Sequence, residues 1–446
     1  MHTLPKGPRG VLRVTLAQAR DPIGTVQRWR QQYGDPFAFP PYQGKPLLVC
    51  GTTAAIRQVM SLPPESVEPL FVERLAAVLG EGSLLVLRGG QHSAMRRLLM
   101  PPFHGQRMRL YGQTIRDITR NLTASLTPGT TFVAQDLMHQ ISLQVIIRLV
   151  FGVHGAEQVA RTEALVQDYR KALAGCVLPM LLPILRRSFW GVGPWARLLR
   201  MRHALRERID EEIALRRTDS GPAAQAGERT DILSLLLAAR TEDGRGLDAP
   251  EIFDQLVTLL FAGHSTTAMS LVWALHRLLD EPAVLARLQA ELSALGAEPD
   301  PEALAKAPYL EAVCHETLRM YPAAASAGRT LRAPLDIAGH SLPAGSGVIV
   351  SILLAHYNPE VFAEPTQFRP ERFLERSYSP FEFLPFGGGN RRCIGAAFGL
   401  YEMKLVLGTL LQRFTFERTS MKPVRVRAFV GLEPQRPIRL AVRSLA

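Results

Sequence analysis

The sequence predicts a mainly α-helical chain carrying small β-sheets, an α+β architecture, and three observations support it. Apolar residues recur at helical spacing through most of the 446 residues. One stretch, 250–279, is apolar almost all round, as a helix running through a core must be. Short runs near 37–49 and 340–354 are punctuated by glycine and proline, the pattern of strands joined by turns.

Residues 17–33 have helical spacing, 37–39 and 45–49 read as strands around Gly44, and 54–61 resumes a helix. Residues 65–90 are poorly periodic, broken by Gly80, Gly82, Gly89 and Gly90, and are expected to form a mobile segment over a binding site. A short helix over 91–100 is stopped by Pro101 and Pro102; His92 and Arg96, four apart, share one of its faces. Helices follow over 108–126, 137–150 and 157–173, with His139 a partly buried helix residue. Residues 180–195, apolar but interrupted by Pro183, Gly191, Gly193 and Pro194, suggest a cap over a cavity. The strongly charged 197–217 is expected to be a solvated helix, and 221–227 a surface linker.

The long helix over 250–279 has an odd middle, Ala262-Gly263-His264-Ser265-Thr266-Thr267. A glycine and three hydroxyls weaken helix propensity, so a local opening that holds water is expected there. A helix over 309–320 places Glu316 and Arg319 on one face. Residues 323–327 carry only small side chains, 340–345 read as a strand and turn, and 348–354 as a strand.

Cys50, Cys176, Cys314 and Cys393 form no CxxC pair, which fits a reducing compartment and disfavours a zinc ribbon or a disulfide framework. The N-terminus has no apolar run, and the most apolar window, 174–185, is too short to span a bilayer and contains Pro179 and Pro183. No transmembrane anchor and a cytoplasmic location are expected. The net charge of +12 comes from 52 Lys and Arg against 40 Asp and Glu, spread along the chain without a nucleic-acid motif. An acidic protein is the better partner for such a surface.

The chemistry concentrates in Phe386-Gly387-Gly388-Gly389-Asn390-Arg391-Arg392-Cys393-Ile394-Gly395. Glycines let the backbone pass close to something flat, and a helix over 394–411 places Cys393 at its N-terminal end, where a thiolate is favoured. Most free cysteines are buried small hydrophobes. A phosphate loop would need a Gly-Lys-Ser/Thr ending, which is missing.

The string Phe-x-x-Gly-x-Arg-x-Cys-x-Gly resembles the haem-ligand signature of the cytochrome P450 family, and the rest of the chain follows that family's order. Glu316-x-x-Arg319 and Pro370-Glu371-Arg372-Phe373 match two further motifs. The resemblance implies a single domain over 1–446, with a small β-rich part over 1–63 and a helical haem-binding core over 64–446. In that fold a long central helix lies over the haem and the cysteine loop lies beneath. It implies haem b with Cys393 as axial thiolate, held in a loop shaped by Phe386, Gly387 and Gly395. His92, Arg96, Arg329, His356 and Arg391 take propionate-contact roles, and Glu316, Arg319 and Arg372 form a buried network under the loop.

Ala262, Gly263, Thr266 and Thr267 match the family's oxygen-side motif, in which a threonine steadies dioxygen and a preceding carboxylate relays protons. Here Ser265 stands in the acid's place, and serine passes protons only by hydrogen-bond exchange. Ala262, Thr266, Ala323, Ala324, Ala325, Ser326 and Val430 are the implied substrate-lining residues, and 180–195 the implied entry gate. The implied activity is that of the soluble bacterial members: a monomeric monooxygenase placing one atom of O2 into a terpenoid, fatty acid or similar hydrophobic molecule by hydroxylation or epoxidation. Electrons would come from NAD(P)H through a reductase and a ferredoxin or flavodoxin, docking on Arg96, Arg97, Arg391, Arg392 and Lys404. Ser265 leaves a peroxide-dependent enzyme or an isomerase open, and a basic binding protein without catalysis is the alternative of another class.

Overall fold

The computed structural model describes residues 4–103, 105–152, 155–176, 179, 186, 192–218, 231–428 and 431–445. The expected linker over 221–227, most of the cap over 180–195, and Val430 lie outside them.

Asp21 separates two helices where spacing alone predicted one. Its carboxylate accepts the Gly24 amide at 3.0 Å, and Pro22 sits in the first turn of the second helix, where its missing N–H costs little. These are α1 (Val11–Arg20) and α2 (Pro22–Tyr33). β1 (Phe37–Tyr42) and β2 (Lys45–Cys50) flank Gly44, which has φ +73°, and Thr52 caps α3 (Thr53–Met60). Residues 65–90 are better ordered than their sequence suggests: they hold β3 (Val67–Pro69) and α4 (Val72–Leu79). Gly80 and Gly82 break the periodicity because they pack on Asp254; a Cβ at Gly80 would collide with that carboxylate, which also accepts the Gly82 amide at 3.0 Å.

The helical middle comprises α5 (Gly89–Leu99), α6 (Gln106–Leu122), α7 (Ala134–Phe151), α8 (Ala156–Ala174), α9 (Pro194–Thr218), α10 (Ile232–Ala238) and α11 (Ala249–Asp280), with β4 (Thr131–Val133) before α7. α12 (Pro282–Ala294), α13 (Pro301–Lys306) and α14 (Pro308–Met320) each have proline in the first turn. Then come β5 (Ser326–Leu331), the hairpin of β6 (Leu335–Ile337) and β7 (His340–Leu342), β8 (Gly347–Ser351), α15 (Ile352–His356) and α16 (Arg372–Glu375). α17 (Ala396–Arg413), β9 (Phe414–Arg418), β10 (Val426–Ala428), β11 (Leu432–Pro434) and β12 (Arg439–Leu445) complete the chain. The strand expected over 348–354 stops at Ser351, whose hydroxyl accepts the Leu354 amide at 3.3 Å and starts α15.

Contacts divide the chain into two compact units: Met1–Leu70, Gly112–Ile141 and Thr266–Ala446 in one, Phe71–Tyr111 and Ser142–Ser265 in the other. In the first, a five-stranded sheet has the order β1-β2-β8-β5-β3, with β2 and β8 parallel from Leu47–Gly347 to Cys50–Val350. This corrects the expected β-rich part over 1–63. Its two strands are completed by β8 and β5, from after residue 325, and by β3, and it holds three helices besides. Leu48, Ile56, Val59, Val348 and Val350 form the buried core against this sheet. A second sheet, β4-β12-β9, ties the middle of the chain to its end.

In the second unit α8 packs on α9, and the Tyr169 hydroxyl donates to the Val78 carbonyl at 2.9 Å. The solvated reading of 197–217 holds for one face of α9 only. Arg208 and Glu212 are buried and paired; Glu212 also takes Arg216 at 2.7 Å, and Arg216 lies 3.5 Å from Asp231 and donates to the Phe151 carbonyl. Among the described residues α11 is the one helix long and apolar enough to cross a membrane, and 67% of its most apolar window is buried inside the protein. Glu212→Ala should cost about 1–3 kcal/mol, because it removes the acid shared by two buried guanidinium groups and leaves them only the longer 3.5 Å contacts to Glu211 and Asp231. The exposed pair His203–Glu207 offers the contrast: Glu207→Ala should change stability by less than about 0.5 kcal/mol in the same denaturant titration.

Candidate functional site

A buried carboxylate organises the first unit. Glu316 on α14 is fully buried and accepts from Arg319 Nε at 2.7 Å and Nη2 at 2.8 Å, from the Arg369 amide at 2.9 Å, and from Arg372 Nε at 3.2 Å. Arg319 donates onward to the carbonyls of His356 at 2.8 Å and Gln367 at 3.2 Å, and Arg372 to that of Ala363 at 3.0 Å. The two arginines therefore share their charge with one acid and spread their remaining donors over backbone, as buried ions require.

His356 extends this lattice. Its Nε2 accepts the Leu384 amide at 3.0 Å, so the ring proton is on Nδ1, which donates to the Arg319 carbonyl, also at 3.0 Å. Burial, and then the Arg319 charge, push its pKa down to about 3, and the ring is neutral. Both nitrogens are engaged by backbone, so His356 belongs to the scaffold; the propionate contact expected of it is corrected. The chain it anchors runs directly into the cysteine loop, because the Leu384 carbonyl accepts the Gly387 amide at 2.9 Å.

The loop is held from within by the Cys393 amide on the Phe386 carbonyl at 2.9 Å and the Arg392 amide on Gly389 at 3.1 Å. Gly387 and Gly389 have φ of +67° and +65°, which disfavours any side chain. Gly389 also lies against the Met60 carbonyl, where a Cβ would collide, whereas a Cβ at Gly387 or Gly395 would meet no atom within 4 Å. The loop is thus pressed on Met60 of α3 at Gly388 and Gly389 and open at Gly387 and Gly395. Cys393 is exposed, in contrast with the buried Cys50, Cys176 and Cys314. Burial pushes the Cys50 and Cys314 thiols up to about 12, which leaves them inert.

Arg329 on β5 is buried beside the loop. Its acceptors are the Gly328 carbonyl at 3.0 Å, the Gly388 carbonyl at 3.5 Å and Met60 Sδ at 3.9 Å, and among the described residues no carboxylate pairs with it. Burial lowers its pKa from the usual guanidinium value. A buried cation without an acid is a place prepared for an anion. Arg391 is half-buried in a 3-10 turn, Gly389–Arg391, and Arg392 is exposed. Lys404 is not on a docking surface: it is buried on α17 and bonded to Glu311 at 2.7 Å. Arg97, in the second unit, is exposed and paired with Glu242.

In the second unit, α5 buries His92 and leaves Arg96 half-buried one turn on. α11 is continuous through 262–267, so the expected opening is not seen; Ser270 folds its hydroxyl back onto the Thr266 carbonyl at 3.0 Å. Ala262 and Thr266, four apart on one face, are exposed in the middle of a mostly buried helix. Gly263 serves packing, since a Cβ there would meet Ile146 of α7 at 3.0 Å. His264 is buried, with Nδ1 2.7 Å from the Leu260 carbonyl and Nε2 3.2 Å from the Ser265 hydroxyl. Ala324 and Ser326 are exposed and Ala323 and Ala325 half-buried; a Cβ at Gly431 would collide with the Ala323 carbonyl. Sequence reasoning missed Met60 and Leu384, ordinary core residues whose backbone positions the loop.

A family model described as cytochrome P450 matches residues 5–441. A protein named cytochrome P450 135B1, from Mycobacterium bovis and Mycobacterium tuberculosis, is 36% identical over 99% of this chain and 92% of its own length. One named cytochrome P450 138 from the same organisms is 35% identical over 88% of this chain and 85% of its own. The structure of retinoic acid-bound cyanobacterial CYP120A1 is similar over the whole of both chains, with TM-score 0.86 and 25% identity. The haem domain of cytochrome P450DA has the same fold, with TM-score 0.86 and 23% identity over 100% of this chain and 98% of that one.

Removing the Glu316 carboxylate leaves Arg319 and Arg372 buried without a counter-charge. Glu316→Ala should lose about 3–5 kcal/mol of stability and be recovered with little or no haem, read as haem iron per chain. A normal haem content would separate the network from the loop.

Proposed function

Because the chain belongs to the cytochrome P450 family, and so is a haem-thiolate monooxygenase, we propose that it holds haem b on Cys393 and inserts one oxygen atom of O2 into an apolar small molecule. The observation that carries the assignment is an exposed cysteine in a glycine cradle, bound through His356 to a fully buried Glu316 and set beside an acid-free buried arginine. When bound, thiolate-ligated haem supplies cleavage of the O–O bond and transfer of one oxygen to a C–H bond or alkene.

Each residue then has a definite task. Cys393 gives the thiolate, and Gly387 and Gly395 leave room beside it. Arg329 offers its guanidinium to a propionate, with His92, Arg96 and Arg391 as further contacts. Thr266 presents its hydroxyl from the exposed face of α11, and the small side chains of Ala262, Ala323, Ala324, Ala325 and Ser326 leave space for a substrate. A terpenoid or fatty acid, apolar along its length, suits such walls. The cyanobacterial protein is bound to retinoic acid, a molecule of that kind. A ferredoxin or flavodoxin reduced by NAD(P)H through its reductase is the proposed electron source, with Arg392 as the exposed cation of the loop.

Ser265 favours a second reading, peroxide-driven turnover, for a physical reason. The Leu260 carbonyl can only accept, so His264 carries its proton on Nδ1, and Nε2 then accepts the Ser265 hydroxyl. Burial holds the His264 pKa down to about 4, so the ring is neutral and passes no proton to Ser265 near pH 7. Ser265 directs its single proton at His264 and can accept from water, but donates elsewhere only by breaking that bond.

Cys393→Ala should abolish both turnover and the thiolate-type absorption of the reduced, carbon monoxide-bound protein. Ser265→Asp or Ser265→Glu should raise product formed per NAD(P)H oxidised; no change in either variant would remove Ser265 from proton delivery. Product should form with O2 and a reductase system, and formation with hydrogen peroxide alone at equal rate would favour the second reading.

A further inference from the structure

The first helix carries its apolar stripe on the outside. In a surface helix of a globular protein that stripe ordinarily faces the core. Among the large apolar residues of α1, Val14 alone is buried, at 6% exposure, while Val11, Leu12 and Leu16 are 64%, 72% and 45% exposed. At about 3.6 residues per turn these three share one side of the helix with Thr15 and Ala19, and Arg13 and Arg20 border that side along one flank. Leu4, shortly before the helix, is exposed as well.

α1 is fastened in this orientation. The Ala38 amide of β1 donates to the Lys6 carbonyl at 3.3 Å, the Thr25 hydroxyl of α2 to the Ala17 carbonyl at 3.2 Å, and the Gln435 side chain to the Arg20 carbonyl at 3.0 Å. All of these residues belong to the first unit, so the outward stripe is part of its fold.

The surroundings carry one sign of charge. The first acid in the sequence is Asp21, which pairs with Arg28 at 3.0 Å. Before it come Lys6, Arg9, Arg13 and Arg20, all exposed, and among the described residues none of them pairs with a carboxylate. The backbone amide of Gln435 donates to the Arg425 carbonyl at 2.8 Å, which brings the exposed Arg425 and Arg436 to the same patch.

Scattered cations or single exposed leucines are ordinary on a protein surface. Both together on one fixed helix are the pattern of a side that rests on anionic lipid: apolar side chains enter the acyl boundary while arginines stay at the phosphates. A protein partner fits this side less well. α1 is about 15 Å long and about 10 Å wide, so it offers roughly 150 Å², against roughly 800 Å² per partner in a stable protein interface. A second copy of the chain would also bring the same cations to meet these.

We infer that α1 docks the chain on an anionic bilayer surface, lying flat at the headgroup level. Val11, Leu12 and Leu16 enter the acyl boundary, and Lys6, Arg9, Arg13 and Arg20 meet the lipid phosphates. The attachment is peripheral and reversible, because it rests on a few side chains and on charge that salt screens.

Co-sedimentation of the haem-loaded full chain with lipid vesicles tests this. Vesicles of equimolar phosphatidylglycerol and phosphatidylcholine should pellet the chain at low salt, and phosphatidylcholine alone should bind it at least about tenfold more weakly. Arg13→Gln combined with Arg20→Gln should weaken binding about 25-fold, since each cation at an anionic surface counts about fivefold. Leu12→Ser combined with Leu16→Ser should weaken it at least about tenfold, whereas Leu110→Ser with Leu374→Ser, exposed on α6 and α16, should leave it unchanged. Leu12→Trp should add fluorescence that bromine-labelled acyl chains quench. Every variant should keep the parent's reduced, carbon monoxide-bound spectrum, which separates lost docking from lost fold. Equal binding to neutral vesicles, full binding by the Leu12/Leu16 variant, or equal weakening by the Leu110/Leu374 control would overturn the inference. So would a dimer in solution that binds no vesicle and that the Leu12/Leu16 variant dissolves.

Discussion

One carboxylate, that of Glu316, receives donors from two arginine side chains and one backbone amide that come from two separate segments of the chain. Buried ion pairs of this kind seldom add stability over well-packed apolar residues of the same size. What they add is direction. Arg319 fixes the His356 carbonyl, His356 fixes the Leu384 amide, and Leu384 fixes the start of the loop that presents Cys393. Apolar packing alone would tolerate sliding along this route, whereas each hydrogen bond fixes a distance and an angle. The thiol can thus be exposed on a loop whose own regular structure is a single 3-10 turn.

Much of this was legible in the chain because the relevant signals are local. Glu316 and Arg319 are three apart on a helix, Arg372 lies in a short Pro-Glu-Arg-Phe string, and the cysteine loop is nearly contiguous. Helical spacing found α6, α7, α8, α11 and α14 within a few residues of their ends. What stayed hidden depends on the partner. Asp254 explains Gly80 and Gly82, yet it lies more than 170 residues away. Arg208 and Glu212 look like any solvated pair until α8 and the residue 231 region cover them. His356 reads equally well as a ligand contact or a scaffold residue, since the sequence shows neither the Arg319 carbonyl nor the Leu384 amide. Lys404 reads as surface charge because a lone lysine in an apolar helix gives no hint of Glu311.

The oxygen-side segment shows how a single substitution changes the chemistry of its neighbour. An acid at position 265 would keep a titratable proton in reserve. Ser265 instead spends its proton on His264, which is itself locked to its own helix by the Leu260 carbonyl. Two side chains that look like a relay in one dimension thus bond to each other, and the ring is turned back onto its own helix at Leu260.

The parallel pairing of β2 with β8 joins residues about 300 positions apart in sequence, a long-range contact of the kind that slows folding. During synthesis β2 leaves the ribosome long before its neighbour exists. At usual elongation speeds the wait is roughly 15–60 s, with an apolar strand edge unpaired for that time. The second unit, complete by Ser265, is made entirely within that interval. Assembly is therefore ordered by translation: the helical unit can fold first, and the sheet closes only when β8 arrives. The floor that holds Cys393 lies on the late side of that closure, so the newborn chain cannot present its thiol until almost all of it has been made.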